Sequence, residues 1–182
     1  SITSEQRSMA KTINFGVVYG MSAFGLAKEL GMEVAEADRF IKEYFARYSG
    51  VQSYLKESLA QTKKNGYCVT LLGRRRYLPE LKSKNPSVRQ FAERMAINAP
   101  IQGSAADVIK IAMIQMDQAM AKQKYESQMV MQVHDELVFD VVPKELDEVK
   151  KLAEKTMRQA FKLSVPLQVH VNSGPNWLEA GH

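Results

Sequence analysis

The sequence predicts an α+β chain whose first half is mostly helical and whose second half adds an incomplete antiparallel sheet with helices packed on it. Three observations carry this. Apolar residues such as Phe40, Ile41, Tyr44 and Phe45 recur at helical spacing. Gly31, Gly50 and the pair Asn65-Gly66 punctuate those runs as helix stops. Two segments, Tyr67 to Leu78 and Gln128 to Val142, read as strand, turn and strand.

The elements follow in order. Thr3 with Gln6 three residues later fits a capping box, which starts a first helix running to Gly20. Ser22 to Leu30, Val34 to Tyr48 and Val51 to Lys64 read as three further helices. Tyr67 to Leu72 against Tyr77 to Leu78 reads as a hairpin with Gly73-Arg-Arg-Arg76 at its turn. The polar stretch Lys82-Ser-Lys-Asn-Pro86 is turn-like and is taken as a subdomain boundary. A long helical region spans Ser87 to Lys122, with Pro100 expected to bend or interrupt it. After the second hairpin, Lys144 to Leu163 reads as a helix and Leu167 to Val171 as a final strand. No internal repeat or low-complexity segment occurs.

Composition narrows the class. A chain of 182 residues, 45% hydrophobic, has enough apolar material for one large or two small cores. It has no apolar run of membrane-spanning length and no signal-peptide pattern, so a soluble, intracellular protein is expected. The lone Cys68 excludes an internal disulfide and a Cys-rich zinc site, and reads as a strand residue. Positive charge is concentrated: Lys63, Lys64, Arg74, Arg75, Arg76, Lys82 and Lys84 face only Glu80, so the remainder of a +5 chain is close to neutral. Such a block is either a solvated basic face or a set of cations for phosphates, giving affinity without sequence preference.

The densest chemistry lies in Arg7-Ser-Met-Ala-Lys-Thr-Ile-Asn-Phe-Gly-Val-Val-Tyr-Gly20. Arg7, Lys11, Phe15 and Tyr19 recur every four residues, a spacing that keeps them along one stripe of a helix. Cations at the N-terminal end are unfavourable for the helix dipole, so Arg7 and Lys11 suit an anion. Two cations followed by two aromatics match a ligand with a polyanionic tail and a flat head, such as a nucleoside triphosphate. The same spacing also describes an amphipathic helix whose basic side chains lie over apolar surface.

That block resembles the nucleotide-binding helix of family A DNA polymerases, in which Arg, Lys, an aromatic and Tyr-Gly are spaced in this way. Two more segments are similar to the family's motifs, in the family's order. Arg94-Met-Ala-Ile-Asn-Ala-Pro-Ile-Gln-Gly-Ser-Ala-Ala-Asp107 resembles its template-primer contact helix, and Gln132-Val-His-Asp-Glu-Leu-Val138 its catalytic hairpin. The resemblance covers the chain from its first residue to Trp177.

The resemblance implies a DNA-directed DNA polymerase, a nucleotidyltransferase of DNA replication and repair that uses two Mg2+ ions and dNTP substrates. It implies fingers over residues 1–86 and the C-terminal part of the palm over 87–182. Asp135 is then a catalytic metal ligand, with Glu136 a weaker candidate and Lys11 a catalytic cation. Arg7, Lys11, Phe15 and Tyr19 bind the nucleotide, and Phe rather than Tyr at position 15 disfavours dideoxynucleotides. Arg94, Asn98 and Gln102, again four apart, read the minor groove, while His134 lies near the primer end; Arg74, Arg75 and Arg76 are DNA-binding candidates on their charge and hairpin position, independently of the resemblance.

The pattern also departs from the family. The second carboxylate that bridges the two ions belongs to an Asp-Tyr-Ser-like motif upstream of the nucleotide-binding helix, and this sequence contains none. Asp140 is no substitute, lying roughly 16 Å along the strand from Asp135. The expectation is therefore a polymerase fragment, inactive alone, whose partners are primer-template DNA, dNTP and the missing N-terminal palm and thumb, in the bacterial cytoplasm at the nucleoid. A non-catalytic DNA-binding module and one half of a split polymerase remain as alternatives.

Overall fold

A computed structural model describes residues 2–181 and confirms the α+β class. By packing, the chain divides into two compact units, Ser1–Gln102 and Gly103–His182. This division falls within the long helix rather than at the turn before it.

In the first unit, α1 (Ser4–Val18) begins at the expected capping box: Gln6 N–H donates to Thr3 Oγ1 at 3.1 Å, and Thr3 N–H to Gln6 Oε1 at 3.0 Å. α2 (Ala23–Leu30) is capped by Ser22 and ends on Gly31. α3 (Val34–Arg47) and α4 (Ser49–Asn65) follow, the latter ending on Gly66. Leu26, Ala27 and Ala37 form a buried cluster with Ile13, Leu30 and Ile41 against it, so α1, α2 and α3 share one core. Tyr44 O–H donates to Asn14 Oδ1 at 2.7 Å, which ties α3 to α1. β1 (Tyr67–Val69) and β2 (Arg75–Tyr77) pair antiparallel, Tyr67 opposite Tyr77 and Val69 opposite Arg75. A 3-10 turn, Pro79–Lys82, leads on to α5 (Pro86–Gln123). Cys68, Leu78, Leu81, Ala92, Ala96 and Ala99 make a second core beneath the hairpin.

In the second unit, β3 (Gln128–Val133) and β4 (Glu136–Asp140) form an antiparallel hairpin with a bulge between Met129 and Met131. A 3-10 turn, Pro143–Glu145, precedes α6 (Leu146–Gln159). The core here consists of Met116 and Met120 from α5 with Val149 and Ala153 from α6, and Phe139 and Val141 pack on it.

Several expectations are corrected. α5 is one helix of 38 residues, and Pro100 does not interrupt it. Proline costs a helix interior about 3 kcal/mol, and here the burial of Ala92, Ala96 and Ala99 before it and of Met116 and Met120 after it outweighs that cost. Leu167 to Val171 forms no strand. Its side chains do alternate between half-buried and exposed, but among the described residues β3 and β4 pair only with each other, and a strand needs a ladder partner. The first hairpin is shorter than expected and holds Arg75 and Arg76 within β2 rather than in the turn. α6 starts later than Lys144 because Pro143 opens a 3-10 turn, and it stops well before Leu163. A short α7 (Trp177–Ala180) was not foreseen, although Asn176 and Glu179 carry capping-box spacing: Glu179 N–H donates to Asn176 Oδ1 at 3.1 Å.

Candidate functional site

The stripe on α1 is exposed where a ligand would need it. Arg7 and Lys11 are solvent-facing, Phe15 is 55% exposed, and Tyr19 is half-buried. Phe15 and Tyr19 stack, with centroids 6.3 Å apart and planes 12° from parallel. Tyr19 is the C-cap of α1 rather than part of its body, and its placement follows from how the helix ends. Gly20, at φ 78°, lets Met21 N–H reach Gly16 C=O at 2.8 Å and Gly20 N–H reach Val17 C=O at 3.1 Å, a Schellman closure that a side chain at Gly20 would strain. Met21 folds back so closely that a Cβ on Gly16 would stand 3.0 Å from its sulfur.

Arg94 lies beside this helix end, its Cγ 4.0 Å from the position a Cβ on Gly20 would take. Its guanidinium stands over the Phe91 ring at 5.9 Å and is otherwise solvent-facing. Gln102 is exposed, whereas Asn98 is half-buried with its Oδ1 withdrawn from water and without a hydrogen-bond partner among the described residues.

On the first hairpin, Arg74, Arg75 and Arg76 are all exposed. Arg75 stacks over Tyr67 at 4.7 Å, and Tyr67 meets Tyr77 at 5.4 Å between centroids. The Arg75 guanidinium is raised further above its ordinary range, first by its hydrogen bond with Tyr77. Lys63 of the basic block pairs with Glu93 at 2.6 Å. Burial pushes the Cys68 thiol up, as its place under this hairpin requires.

The second hairpin carries His134 and Asp135 as its two-residue loop, both exposed, and Glu136 as the first residue of β4, opposite Val133. His134 has φ 53°, the left-handed region a non-glycine residue seldom adopts, and such outliers gather at functional turns. The Gln132 side-chain amide donates to the His134 carbonyl and pins the turn. Asp140 ends β4 opposite Gln128, at the far end of the hairpin from Asp135. Among the described residues no three His, Cys, Asp or Glu side chains gather as a metal site. Asp135 has the donor chemistry of one ligand to a hard cation such as Mg2+, an exposed carboxylate on a paired scaffold.

Sequence reasoning missed the root of this hairpin. Ser127, 5% exposed, and Glu145 form a hydrogen-bonded group there. Glu145 lay inside an expected helix, and only Pro143 signalled otherwise. Among the described residues no helix is long and apolar enough to cross a membrane.

A family model described as DNA polymerase family A matches residues 1–179. DNA polymerase I of Streptococcus pneumoniae is 49% identical over 180 residues, spanning 99% of this chain and 20% of that protein. DNA polymerase I of Mycobacterium tuberculosis is 48% identical over 181 residues, again spanning 20% of its length. The solved structure of the POL domain of Pol1 from M. smegmatis, in complex with DNA primer-template and dNTP, superposes with a TM-score of 0.96 at 48% identity. It covers 100% of this chain and 32% of that one. The chain therefore spans about a fifth of the length of the curated relatives it matches.

Proposed function

The chain belongs to DNA polymerase family A, and on that premise we propose that it supplies the nucleotide-binding helix and the metal-binding hairpin of a DNA-directed DNA polymerase acting in bacterial DNA replication and repair. The observation that carries this is the exposed stripe of Arg7, Lys11, Phe15 and Tyr19 ending on a pair of stacked rings. In this reading residues 1–86 are fingers and 87–182 the C-terminal palm.

Each residue then has a task set by its chemistry. Arg7 and Lys11 bind the triphosphate and stabilise charge that grows on it as the bond to the α phosphorus is made and pyrophosphate leaves. Phe15 packs on sugar and base, and Tyr19 borders the templating base. Arg94, Asn98 and Gln102 meet minor-groove acceptors that correct pairs present alike, which senses mispairing and ignores sequence. Arg74, Arg75 and Arg76 hold DNA phosphates, and His134 lies near the primer end. Asp135 would hold Mg2+, with Glu136 in a lesser role and the remaining ligands outside this chain. What bound Mg2+ supplies there is activation of the primer 3′-hydroxyl and neutralisation of the triphosphate.

The test is Mg2+-dependent primer extension by this chain alone and mixed with a polypeptide carrying the N-terminal palm and thumb of a relative, with Asp135→Ala as control. Extension only in the mixture, abolished by the substitution, is expected. Undiminished extension with Asp135→Ala would overturn the metal role of that carboxylate.

A further inference from the structure

The root of the β3–β4 hairpin is tied by directional polar contacts. Glu145 Oε1 accepts from Glu126 N–H at 3.1 Å, and Oε2 accepts from Ser127 N–H at 3.0 Å and from Ser127 O–H at 2.6 Å. Ser127 Oγ in turn accepts from Val142 N–H at 3.0 Å. One carboxylate and one hydroxyl thus join the residues entering β3, the residues leaving β4 and the turn that starts α6. Two flanking contacts bind the same segments: Lys144 pairs with Glu126, and Tyr125 O–H meets Glu148 Oε2 at 3.0 Å.

We infer that Ser127 and Glu145 are positioning residues for Asp135, a clamp that sets the angle at which the hairpin leaves the core. This rests on the metal role proposed for Asp135. Phe139 and Val141 already bury the hairpin's apolar side, but apolar packing is non-directional and tolerates small rotations. Hydrogen bonds at fixed angles resist them. The lever is long: Asp140, opposite Gln128, lies five residues from Asp135, and Ser127 is one residue further out, so at about 3.3 Å per residue the reach from Ser127 to Asp135 is roughly 20 Å. Rotation at the root by about 3° therefore moves the tip by about 1 Å, a displacement that costs a reaction about 100-fold. The tip turn is pinned to its own strand by Gln132 and the His134 carbonyl, so root orientation is transmitted to the loop.

The test uses the full-length polymerase carrying this segment, with Ser127→Ala, Glu145→Gln, the hydroxyl-retaining Ser127→Thr, and Asp135→Ala, each assayed well below its melting midpoint. Ser127→Ala and Glu145→Gln are expected to lower kcat about 10- to 100-fold, the cost of losing a group that orients a metal ligand. The Mg2+ concentration for half-maximal rate should rise in parallel, with the dNTP KM and the primer-template Kd unchanged. Amide hydrogen exchange should quicken through Gln132 to Leu137, and Ser127→Thr should restore both readouts. If Ser127→Ala does not fold, Glu145→Asp, which retracts the carboxylate by one methylene, should give the same split to a smaller degree. Normal kcat and Mg2+ dependence in the clamp variants, beside an inactive Asp135→Ala, would overturn the clamp alone. An active Asp135→Ala would overturn the reading on which it rests.

Discussion

Phe15 and Tyr19 stack one helical turn apart, Phe15 on the last turn of α1 and Tyr19 at its cap, so a change at either ring is felt by the other. Phe15 presents a flat edge without a hydroxyl and is 55% exposed. A dideoxynucleotide lacks the sugar 3′-hydroxyl, and if Phe15 packs on the sugar as proposed, a tyrosine at position 15 puts a polar group back beside it. One added hydrogen bond is worth about 1 kcal/mol, so Phe15→Tyr should improve dideoxynucleotide incorporation by at least several-fold relative to dNTP. Competitive primer extension by the two forms of the full-length polymerase measures this, and equal discrimination would contradict it.

Gln102 is exposed on α5, on the stripe it shares with Arg94 and Asn98. If it reads minor-groove acceptors, it holds a correctly paired primer end better than a mispaired one. Gln102→Ala removes that preference, and losing a net hydrogen bond of about 1 kcal/mol should narrow the ratio of matched to mismatched extension roughly fivefold. Extension from matched and mismatched primers gives the ratio directly, and an unchanged ratio would remove Gln102 from this role.

How far the sequence could be read depended on whether a feature was local. The α1 capping box, the stops at Gly31 and Gly66 and the strand, turn and strand within Gln128 to Val142 each rest on a few neighbouring residues, and each is found as expected. Features set by distant partners were misread. The Leu167–Val171 segment has the alternation of a strand and none of the ladder, because period-two burial does not supply a partner. Of the bend or interruption expected at Pro100, the interruption does not occur: the local cost is visible in the sequence and the packing around the helix is not. The candidate site divides in the same way. The four-residue spacing of Arg7, Lys11, Phe15 and Tyr19 is legible at once, whereas Ser127 and Glu145 are 18 residues apart and meet only in the folded chain.

Glu145 is held below the usual carboxylate range, chiefly by the hydrogen bond from the Ser127 side chain, against opposing burial, and then by the backbone N–H groups of Ser127 and Glu126 and by nearby Lys144. Its folded-state pKa lies below the unfolded one, so the unfolded chain binds more protons in acid. The stabilisation is complete above about pH 5 and is lost as pH falls through about 4 and below. Ser127→Ala removes the main cause. The gap in melting temperature between the native chain and Ser127→Ala should therefore be widest near neutral pH and shrink at about pH 3. Circular-dichroism melts across that range give the comparison, and a gap independent of pH would show that the carboxylate's ionisation contributes nothing to the root of the hairpin.

Arg75 is already placed before any ligand arrives. Its guanidinium lies 4.7 Å from the centroid of the Tyr67 ring, which limits its freedom, while the residue as a whole remains exposed. A pre-placed guanidinium loses less entropy on meeting a phosphate and keeps donors at its edge for the phosphate oxygens. If Arg75 neutralises one DNA phosphate, Arg75→Ala should weaken binding equally for all sequences and reduce the slope of log K against log salt by about 0.9 for duplex DNA. Arg75→Lys keeps the charge, so it should retain the slope while losing affinity, because an ammonium cannot stack on Tyr67 as a planar guanidinium does. Fluorescence anisotropy titrations of the full-length polymerase at several salt concentrations separate the two effects. An Arg75→Ala slope equal to that of the native protein would mean that Arg75 neutralises no phosphate when DNA is bound.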